Sequence, residues 1–341
     1  MRWLIPLAIL AIGCGDKPDD DTAPPEGDTD TDTDADTDAD TDADTDADTD
    51  TDTDTDTDVT LESVTISATV ETLSTRDTVM FSLLGVYTDG SEIDVTDLAG
   101  FASGDDTILA FYDPIVGQPL NGGTVSVTGS YEGVEDAVEV TIDLAVATAG
   151  DLVINELLAD ATVDGDPNGD GTTDAVEDEF IEIANLSGVA VDLGGVTVVE
   201  NDWSTFLPRH TFAAGTLLPA GSAVVVFGGG DVSGMSADNV QFFAADNDDP
   251  GTPYGLSLLD SGETITVMAA DGKTSINHVS YGTASFDGSV PAGEDESITL
   301  SPDVDGTDWM AHTATGATEA FSPGTFADGG PFSGPDAVYA D

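Results

Sequence analysis

The sequence predicts an all-β protein in which two β-sandwiches follow one another after a disordered acidic stalk. Three observations predict this fold class. Most of residues 16–58 alternate aspartate with threonine or alanine, and they offer no large apolar side chain to a core. Beyond residue 58, apolar residues recur at the two-residue period of strands, and no segment has a convincing helical period. Turn signals separate these runs about every 8 to 12 residues, as in sandwich folds.

Composition narrows the range of partners. The 341 residues include 5 Lys plus Arg against 69 Asp plus Glu, which gives a net charge of -64. Such a chain repels nucleic acid and anionic membranes and favours divalent cations or basic partners, so we expect no nucleic-acid partner. The single cysteine, Cys14, excludes a disulfide within the chain and a thiolate zinc site. The histidines, at positions 210, 278 and 312, form no HxH or HExxH pair.

Residues 1–13 have the features of a signal peptide. Arg2 supplies a positive charge, and the apolar run at 4–12 is too short to span a bilayer. The region from Leu10 to Cys14 resembles the lipobox of bacterial lipoproteins. This resemblance implies a covalent lipid on Cys14 that anchors the protein in the cell envelope. Gly15 resembles the sorting signal for the outer membrane, and both display at the cell surface and a periplasmic position stay open. The alternative to a lipoprotein is an ordinary secretory signal with an incidental cysteine.

Residues 14–58 form the predicted stalk. The part at 16–58 holds 21 of the 69 acidic residues. Because like charges repel along the chain, we expect an extended, disordered tether that lifts the following domains away from a membrane. The alternative is a polyelectrolyte that collects calcium weakly.

Residues 59–145 are predicted to form the first sandwich. Apolar residues at 79, 81 and 83 have strand spacing. Asp89-Gly90 readily adopts the positive φ angles of a type I′ turn, so the runs at 80–87 and 92–96 are predicted to form a hairpin. Further strands are predicted at 108–112, 124–131 and 137–142.

The first segment resembles the bacterial immunoglobulin-like group 2 domain of invasins and other surface proteins. The matching pieces are Tyr87 to Ser91, Asp94 to Thr96, Ser103 to Asp106, Gly129 to Gly133 and Val138 to Ile142. Phe101 stands in the region where this family usually has a tryptophan. The resemblance implies an immunoglobulin-like sandwich that acts as a spacer or adhesion module and has no catalytic residues.

Residues 149–329 are predicted to form the second sandwich, and residues 330–341 a tail. The continuous apolar run at 223–227 is typical of a strand buried on both faces. Asp271-Gly272 lies between the runs at 263–268 and 274–281 and predicts a second hairpin. His278 is interpreted as an outward, solvated histidine rather than a general base.

The second segment resembles the lamin tail domain, an immunoglobulin-like sandwich that recurs in bacterial exported proteins. The pieces that carry the resemblance are Ile154 to Glu156, Glu179 to Asn185, Val191 to Gly194, Leu217 to Val226, Leu258 to Val267, Val279 to Gly282, Trp309 and Ser322 to Phe326. A long Gly- and Asp-rich insertion at 228–255 and Phe326, where asparagine is common, depart from the family. Both departures concern loops more than the fold.

An acidic loop lies between two predicted strands of the second segment. Its residues fit the pattern D-x-[DN]-x-[DN]-G-x5-E, with Gly171 at the sharp turn. In such loops, oxygens at positions 1, 3 and 5 surround one hard cation, position 7 adds a main-chain carbonyl, and the final glutamate closes the shell. The predicted calcium ligands are Asp166, Asn168, Asp170, Thr172, Asp174 and Glu177.

The surroundings of this loop differ from those of an EF-hand. Helices flank an EF-hand loop, whereas residues 179–185 have a strand pattern and residues 157–163 show no clear helical face. We therefore expect a single structural calcium loop that joins two edges of the second sandwich. The alternative is a solvated Asp-Gly turn without an ion.

Two classes of function fit these features. The first is a non-catalytic lipoprotein that displays two sandwiches for surface binding or adhesion, to a protein or glycan ligand, or for envelope structure. The second is an extracellular metal-dependent hydrolase, or an accessory module of a secreted hydrolase. The sequence has neither a G-x-S-x-G motif nor a P-loop, and basic residues are scarce, so we expect no enzyme and no catalytic residues.

Overall fold

The structure is a computed structural model. It describes residues 58–159, 161, 165–202, 205–246, 255–286, 288–293 and 295–335, and of residues 201, 202, 205 and 206 it describes the backbone only. The predicted signal peptide, Cys14 and the predicted stalk up to residue 57 lie outside the described residues. Among the described residues, no helix is long and apolar enough to cross a membrane.

The first sandwich is built from two sheets. Its strands are β1 (Leu61–Ala68), β2 (Thr72–Ser74), β3 (Val79–Tyr87), β4 (Glu92–Asp94), β5 (Gly100–Ser103), β6 (Leu109–Asp113), β7 (Val116–Pro119), β8 (Gly123–Tyr131) and β9 (Val134–Asp143), with a 3-10 helix at Thr96–Leu98. One sheet has the order β1-β3-β7-β6 with β4 paired to β3, and the other has the order β2-β9-β8-β5. Alternate residues of β3, Val79, Phe81 and Leu83, enter the shared core. Burial of these side chains is the main favourable contribution to folding.

Both predicted hairpins are present, but their turns differ from the type I′ prediction. Gly90 has a φ of 82°, whereas Asp89 is not among the residues with positive φ. The N–H of Gly90 donates to the carbonyl of Tyr87 over 2.8 Å, and Gly272 donates to Ala269 in the same way over 2.9 Å. A type I′ turn needs positive φ at both central residues. These hairpins therefore need a glycine at one position only.

The second sandwich has three sheets around a larger core. Its strands are β10 (Ala145–Val146), β11 (Leu152–Leu158), β12 (Phe180–Asn185), β13 (Val191–Asp192), β14 (Thr197–Asp202), β15 (Thr205–Thr211), β16 (Leu217–Leu218), β17 (Ala223–Phe227), β18 (Val240–Ala244), β19 (Thr264–Met268), β20 (Ser275–Ser280), β21 (Ile298–Ser301) and β22 (Asp308–Ala311). Short 3-10 helices occupy Val232–Gly234, Gly282–Ala284 and His312–Thr315. The sheet orders are β18-β17-β12-β11-β21-β22, β15-β14-β19-β20 and β10-β13-β16. The predicted all-β fold with two immunoglobulin-like sandwiches is confirmed.

The sequence predicted that the acidic loop joins two edges of the second sandwich, and this prediction is wrong. It connects β11 and β12, which are antiparallel neighbours in the middle of the six-stranded sheet. The edge of that sheet is instead formed by β18, which comes from the 228–255 insertion and pairs in parallel with β17. An insertion that supplies an edge strand belongs to the fold and cannot be treated as a loop alone.

The third sheet and the C-terminal segment change where the second sandwich begins and ends. Strand β10 pairs with β13 of this sandwich, so the chain joins it at Ala145. Phe332, which the sequence placed in the tail, is buried with Ala184 and Ala223. Its ring packs edge-on against Phe326, with ring centroids 4.7 Å apart.

His278 is exposed, as interpreted from the sequence. The simple alternation of strand residues would place Ile276 on the same exposed face. A register shift lies between Val267 and Met268, which pair with Asn277 and Ser275, so Ile276 is the extra residue of a bulge. Because a bulge reverses the alternation, Ile276 enters the core.

The two sandwiches contact each other directly. Thr75 Oγ1 donates to the carbonyl of Ala190 over 2.7 Å and accepts the N–H of Ala145 over 3.0 Å. Beside it, the Arg76 guanidinium donates to both carboxylate oxygens of Asp151, over 3.2 and 2.6 Å. The first sandwich is thus joined to the second by buried hydrogen bonds as well as by the chain.

Candidate functional site

The first half of the predicted calcium loop is tightly organised by its own backbone. The carboxylate of Asp166 accepts the N–H groups of Asp170 over 3.0 Å and Gly171 over 2.6 Å. Asn168 Oδ1 also accepts the N–H of Asp170, over 3.0 Å. Asp170 Oδ1 accepts the N–H of Thr172, which is exposed, over 2.8 Å. The structure therefore brings together the residues predicted for positions 1, 3 and 5.

The second half of the loop is a turn that uses Asp174 differently. The carboxylate of Asp174 accepts the N–H groups of Val176 and Glu177, over 2.9 and 3.1 Å. These backbone hydrogen bonds, that from Val176 first, lower the pKa of Asp174 below its ordinary value. Asp174 thus stabilises the turn, and Glu177 is half-buried within it.

The next residue, Asp178, has a fully buried side chain. Its Oδ2 accepts the N–H of Asp174 over 2.7 Å, whereas its Oδ1 has no hydrogen-bond partner within the described part of the chain. Burial raises the pKa of Asp178, and the charges of the nearby Asp166 and Asp170 raise it further. The sequence pattern ended at Glu177 and did not include Asp178.

A calcium ion in this loop could not be held by side-chain acids alone. Among the described residues, no three His, Cys, Asp or Glu side chains are grouped so that they could hold a metal ion. Calcium takes six to eight oxygens, including amide and main-chain carbonyl oxygens. The chemistry of the loop, with carboxylates and the Asn168 amide, fits such a hard cation.

A second polar cluster is formed by residues of the sequence motifs that resemble the lamin tail domain. Glu156 on β11 and Glu182 on β12 face each other across the sheet, and both are fully buried. Asn155 Nδ2 donates to Glu182 Oε1 over 2.9 Å, and the N–H of Gly324 donates to Glu182 Oε2 over 2.7 Å. Ser322 donates to Glu156 from both its N–H and its hydroxyl, over 2.9 and 2.8 Å. We call these five residues the carboxylate network.

The electrostatics of the carboxylate network follow from its burial. Burial raises the pKa of Glu156, and it raises the pKa of Glu182 well above its ordinary range, with the charge of Glu156 adding to the effect. Two opposed buried carboxylates cannot both ionise cheaply. The hydrogen bonds from Ser322 and Gly324 therefore attach the C-terminal segment to two buried carboxyl groups that need hydrogen-bond donors.

His312 lies beside the carboxylate network, so that a serine, a histidine and a glutamate are close to one another. His312 Nε2 lies 2.9 Å from the hydroxyl of Ser322, while His312 Nδ1 lies 2.8 Å from the main-chain oxygen of Glu319. In a catalytic triad, the acid orients the histidine through the nitrogen that does not face the serine. Here Glu156 instead accepts directly from Ser322. The arrangement of these three side chains therefore differs from that of a catalytic triad.

A third cluster lies on and beside the β15-β14-β19-β20 sheet of the second sandwich. Arg209 forms a buried ion pair with Glu200, and its Nε donates to Glu200 Oε2 over 2.8 Å. Burial raises the pKa of Glu263 to about 8 and that of Glu179 to about 9. Tyr281 donates its hydroxyl to the main-chain oxygen of Leu259 over 3.0 Å. Two buried acids with raised pKa values therefore lie close to a buried ion pair.

Sequence reasoning named the residues of the carboxylate network only as parts of a resemblance. A signal for them exists in the sequence. Glu182 lies between Ile181 and Ile183, and Asn155 and Glu156 lie between Ile154 and Leu157. A polar residue inside a strand that is otherwise apolar on both faces has to find a hydrogen-bond partner, and the partner was not readable from the sequence.

The fold and the carboxylate network define an immunoglobulin-like β-sandwich module. The family model for the Lamin Tail Domain matches residues 145–301, which supports the resemblance of this segment to that domain. The match begins at β10 and ends with β21; Ser322 and Gly324 lie beyond it. No curated protein matches the chain.

Solved structures share only distant similarity with the chain. Domains 5-6 of the S-layer protein SbsC are 12% identical with a TM-score of 0.22, over 65% of this chain and 96% of that one. The longer S-layer protein rSbsC(31-844) is 11% identical with a TM-score of 0.24, over 74% of this chain and 32% of that one. A DUF4876 family protein from Bacteroides thetaiotaomicron VPI-5482 is 10% identical with a TM-score of 0.26, over 62% and 57%. TM-scores this low support no conclusion about function.

Proposed function

We propose that the protein is a non-catalytic lipoprotein of the bacterial envelope that displays two β-sandwiches for surface binding or envelope structure. The segment that the lamin tail family model matches is a sandwich module, and in the described part of the chain no three His, Cys, Asp or Glu side chains are grouped so that they could hold a metal ion. A lipid on Cys14 would anchor the chain, and the acidic stalk would hold the sandwiches away from the membrane.

The observation that carries this proposal is how the second sandwich uses its reactive side chains. Glu156 and His312 are fully buried, and Ser322 is bonded to both. An enzyme needs such groups at a cleft where substrate can reach them. Here they are used to hold the C-terminal segment in place, which is a structural role.

The contact between the sandwiches supports a display function. Arg76 and Asp151 form an ion pair at the junction, and Thr75 is buried there with both of its hydrogen bonds made. Two sandwiches joined in this way present one stiff body at the end of the stalk. The partner that fits this arrangement is a protein or glycan at the cell surface.

The calcium loop has a structural role in this proposal. Its ligands would be drawn from Asp166, Asn168, Asp170, Thr172, Asp174 and Glu177, the set predicted from the sequence. The ion would fix the connection between β11 and β12, the two central strands of the large sheet. Calcium binding would then stabilise the second sandwich and would have no catalytic role.

The proposal is tested with the Cys14→Ser variant in cells. We expect the parent protein to incorporate radiolabelled palmitate and to sediment with the outer membrane, and Cys14→Ser to lose the label and become soluble. A variant that stays in the membrane fraction would overturn the anchor. Protease added to intact cells should cleave the stalk of the parent protein. Turnover of ester, phosphate or glycoside substrates by the pure protein would overturn the non-catalytic assignment.

A further inference from the structure

Among the described residues, Phe286 is the large apolar side chain that lies most fully in solvent. Its relative exposure is 103%, whereas the other large apolar side chains on the surface range from 43% for Val70 to 70% for Leu98. Partly covered apolar residues of that kind are ordinary on a protein surface. A phenyl ring that is entirely uncovered leaves all of its apolar area in water, which is unfavourable. Phe286 therefore indicates a contact outside its own chain.

Backbone hydrogen bonds hold Phe286 in an ordered turn. The N–H of Ser285 donates to the carbonyl of Gly282 over 3.1 Å, and the N–H of Gly288 donates to the carbonyl of Ser285 over 3.4 Å. The hydroxyl of Ser285 also accepts the N–H of Val290, over 3.1 Å. The ring is thus presented to solvent by a fixed backbone, which lowers the entropy lost when it binds.

An apolar pocket opens on the surface of the same sandwich, at the end of β12 that carries Asn185. None of its lining residues is charged, and its volume is about 190 Å³. Its apolar walls come from Ala184, Leu186, Val304, Phe326 and Phe332. An apolar cavity of about 150 Å³ binds benzene. The pocket therefore has the size and the chemistry to accept a phenyl ring.

The ring and the pocket of one chain lie at opposite ends of β12. Three positions before the ring, the N–H of Thr283 donates to the carbonyl of Ser261 over 2.8 Å. In the same loop, the N–H of Leu258 donates over 3.0 Å to Glu179, which immediately precedes β12. Since a strand of six residues spans about 20 Å, Phe286 cannot enter the pocket of its own chain.

We propose that Phe286 of one copy inserts into the pocket of a second copy, so that the protein associates with itself head to tail. The two contacting surfaces are different, so each added copy presents a new ring and a new pocket. A contact of this type repeats into an open chain of copies unless its rotation closes a ring. The proposal deepens the role in envelope structure; it rests on the proposed function for the membrane that gathers the copies, and not for the contact itself.

The area and the charge both make this contact weak between dilute copies. A phenylalanine buries about 150–250 Å², whereas a stable interface needs roughly 1,200–2,000 Å². Each copy also carries a net charge of -64, so the copies repel each other. Because the pocket has no charged lining residue, they meet there without burying an acid. Confinement by a lipid anchor would supply the high local concentration that a weak contact needs.

The test is sedimentation velocity over a concentration series, at about 0.5 M NaCl, where a Debye length of about 4 Å screens the repulsion. The protein is the chain from residue 14 onward with Cys14→Ser. Neither a lipid nor a disulfide can then bring copies together, so the result does not depend on the anchor. The ring variant is Phe286→Ser, and the pocket variant is Leu186→Asp. The control, Leu98→Ser, removes an exposed leucine from the first sandwich.

We expect the average mass of the parent protein and of Leu98→Ser to rise with concentration beyond that of a dimer. Phe286→Ser and Leu186→Asp should each associate at least tenfold more weakly. An equimolar mixture of these two variants should form a one-to-one complex and nothing larger, because one supplies the pocket and the other the ring.

Three results would overturn the proposal. A parent protein that stays monomeric at every concentration would leave the pocket to a foreign partner. Equal association of the parent protein and Phe286→Ser would show that another surface joins the copies. A mixture of the two folded variants that forms no complex would contradict the head-to-tail geometry.

A second pocket variant, Ser333→Asp, covers the case in which Leu186→Asp does not fold. Ser333 is exposed and lines the same pocket, so an aspartate there adds a charge without replacing a core side chain. We expect its self-association to weaken at least tenfold, with a Tm equal to that of the parent protein. Full self-association of a folded Ser333→Asp would refute the role of the pocket.

Discussion

Arg76 of the first sandwich donates hydrogen bonds from both terminal guanidinium nitrogens to Asp151 of the second, the shorter one 2.6 Å long. The same Nη2 reaches the carbonyl of Val146 over 3.2 Å. This bidentate geometry fixes direction as well as distance. A chain with so few basic residues thus places one of them where its two domains meet.

The first prediction concerns this junction. Arg76→Ala should loosen the orientation of the sandwiches and lower the free energy of unfolding by only about 1 kcal/mol, because the pair is partly solvated. Small-angle scattering should show a broader distance distribution for the variant. Lys273→Ala, which removes the same charge from an exposed hairpin, is the control and should leave the distribution unchanged. Identical curves for Arg76→Ala and the parent protein would contradict the prediction.

The second prediction concerns the carboxylate network. Ser322→Ala removes the hydroxyl that bonds both Glu156 and His312. The free energy of unfolding should fall by about 1–3 kcal/mol, since buried polar atoms lose a partner. Urea denaturation measures the change. Ser236→Ala, at an exposed serine, should change stability by less than about 0.5 kcal/mol. Equal stabilities of the two variants would argue against a structural role for the network.

The third prediction concerns the ion pair between Arg209 and Glu200. Both side chains are buried, and Glu263 is a further acid beside them. Arg209→Met should cost about 3–5 kcal/mol, because Glu200 would be left as an uncompensated buried charge. Adding Glu200→Gln to that variant should recover much of the loss, as measured by urea denaturation. Failure of the double variant to recover stability would indicate that packing, not charge, dominates.

The fourth prediction concerns pH. Burial raises the pKa of Glu263 from 4.5 to about 8, in a pocket that also contains Glu200, Glu179, Tyr281 and Arg209. The folded protein therefore binds a proton on Glu263 that the unfolded chain has released between these pH values. The contribution of this bound proton to the free energy of unfolding is complete below about pH 4.5, and it is lost as the pH rises through 8.

The variant Glu263→Gln tests whether the titration of Glu263 lowers stability as the pH rises. Glutamine stays neutral, so the variant should lose stability less steeply than the parent protein between pH 5 and 8, by on the order of a few kcal/mol over the range. Thermal unfolding at several pH values, each in EDTA, gives both curves. Glu92→Gln, at an exposed position, is the control and should keep the parent slope. Parallel curves for Glu263→Gln and the parent protein would refute the assignment.

The strands of this fold were readable from the sequence because burial on one face of a sheet imposes a two-residue period. Val79, Phe81 and Leu83 show that period, and the continuous run at 223–227 gave a strand buried on both faces. Glycines marked the hairpins correctly. The turn type was wrong because Gly90 alone supplies the positive φ that the loop requires.

Features that depend on contacts between distant residues were not readable. The pairing of β17 with β18 made an edge strand from a segment whose composition resembles a loop. The hydrogen bonds of Glu156 and Glu182 end on residues 322 and 324, and no local pattern indicates such partners. Asp178 was missed for a different reason: the calcium pattern ends one residue before it.

The distance along the chain between Glu156 and Ser322 has a consequence for biogenesis. A ribosome completes Ser322 166 positions after Glu156. During that interval Glu156 lacks the hydroxyl and the N–H that Ser322 donates, and its other donor, the hydroxyl of Ser297, is itself added only 141 positions after Glu156. The second sandwich therefore completes its carboxylate network only after residue 324 has been added, so a chain that ends before this point lacks the last donors to Glu156 and Glu182.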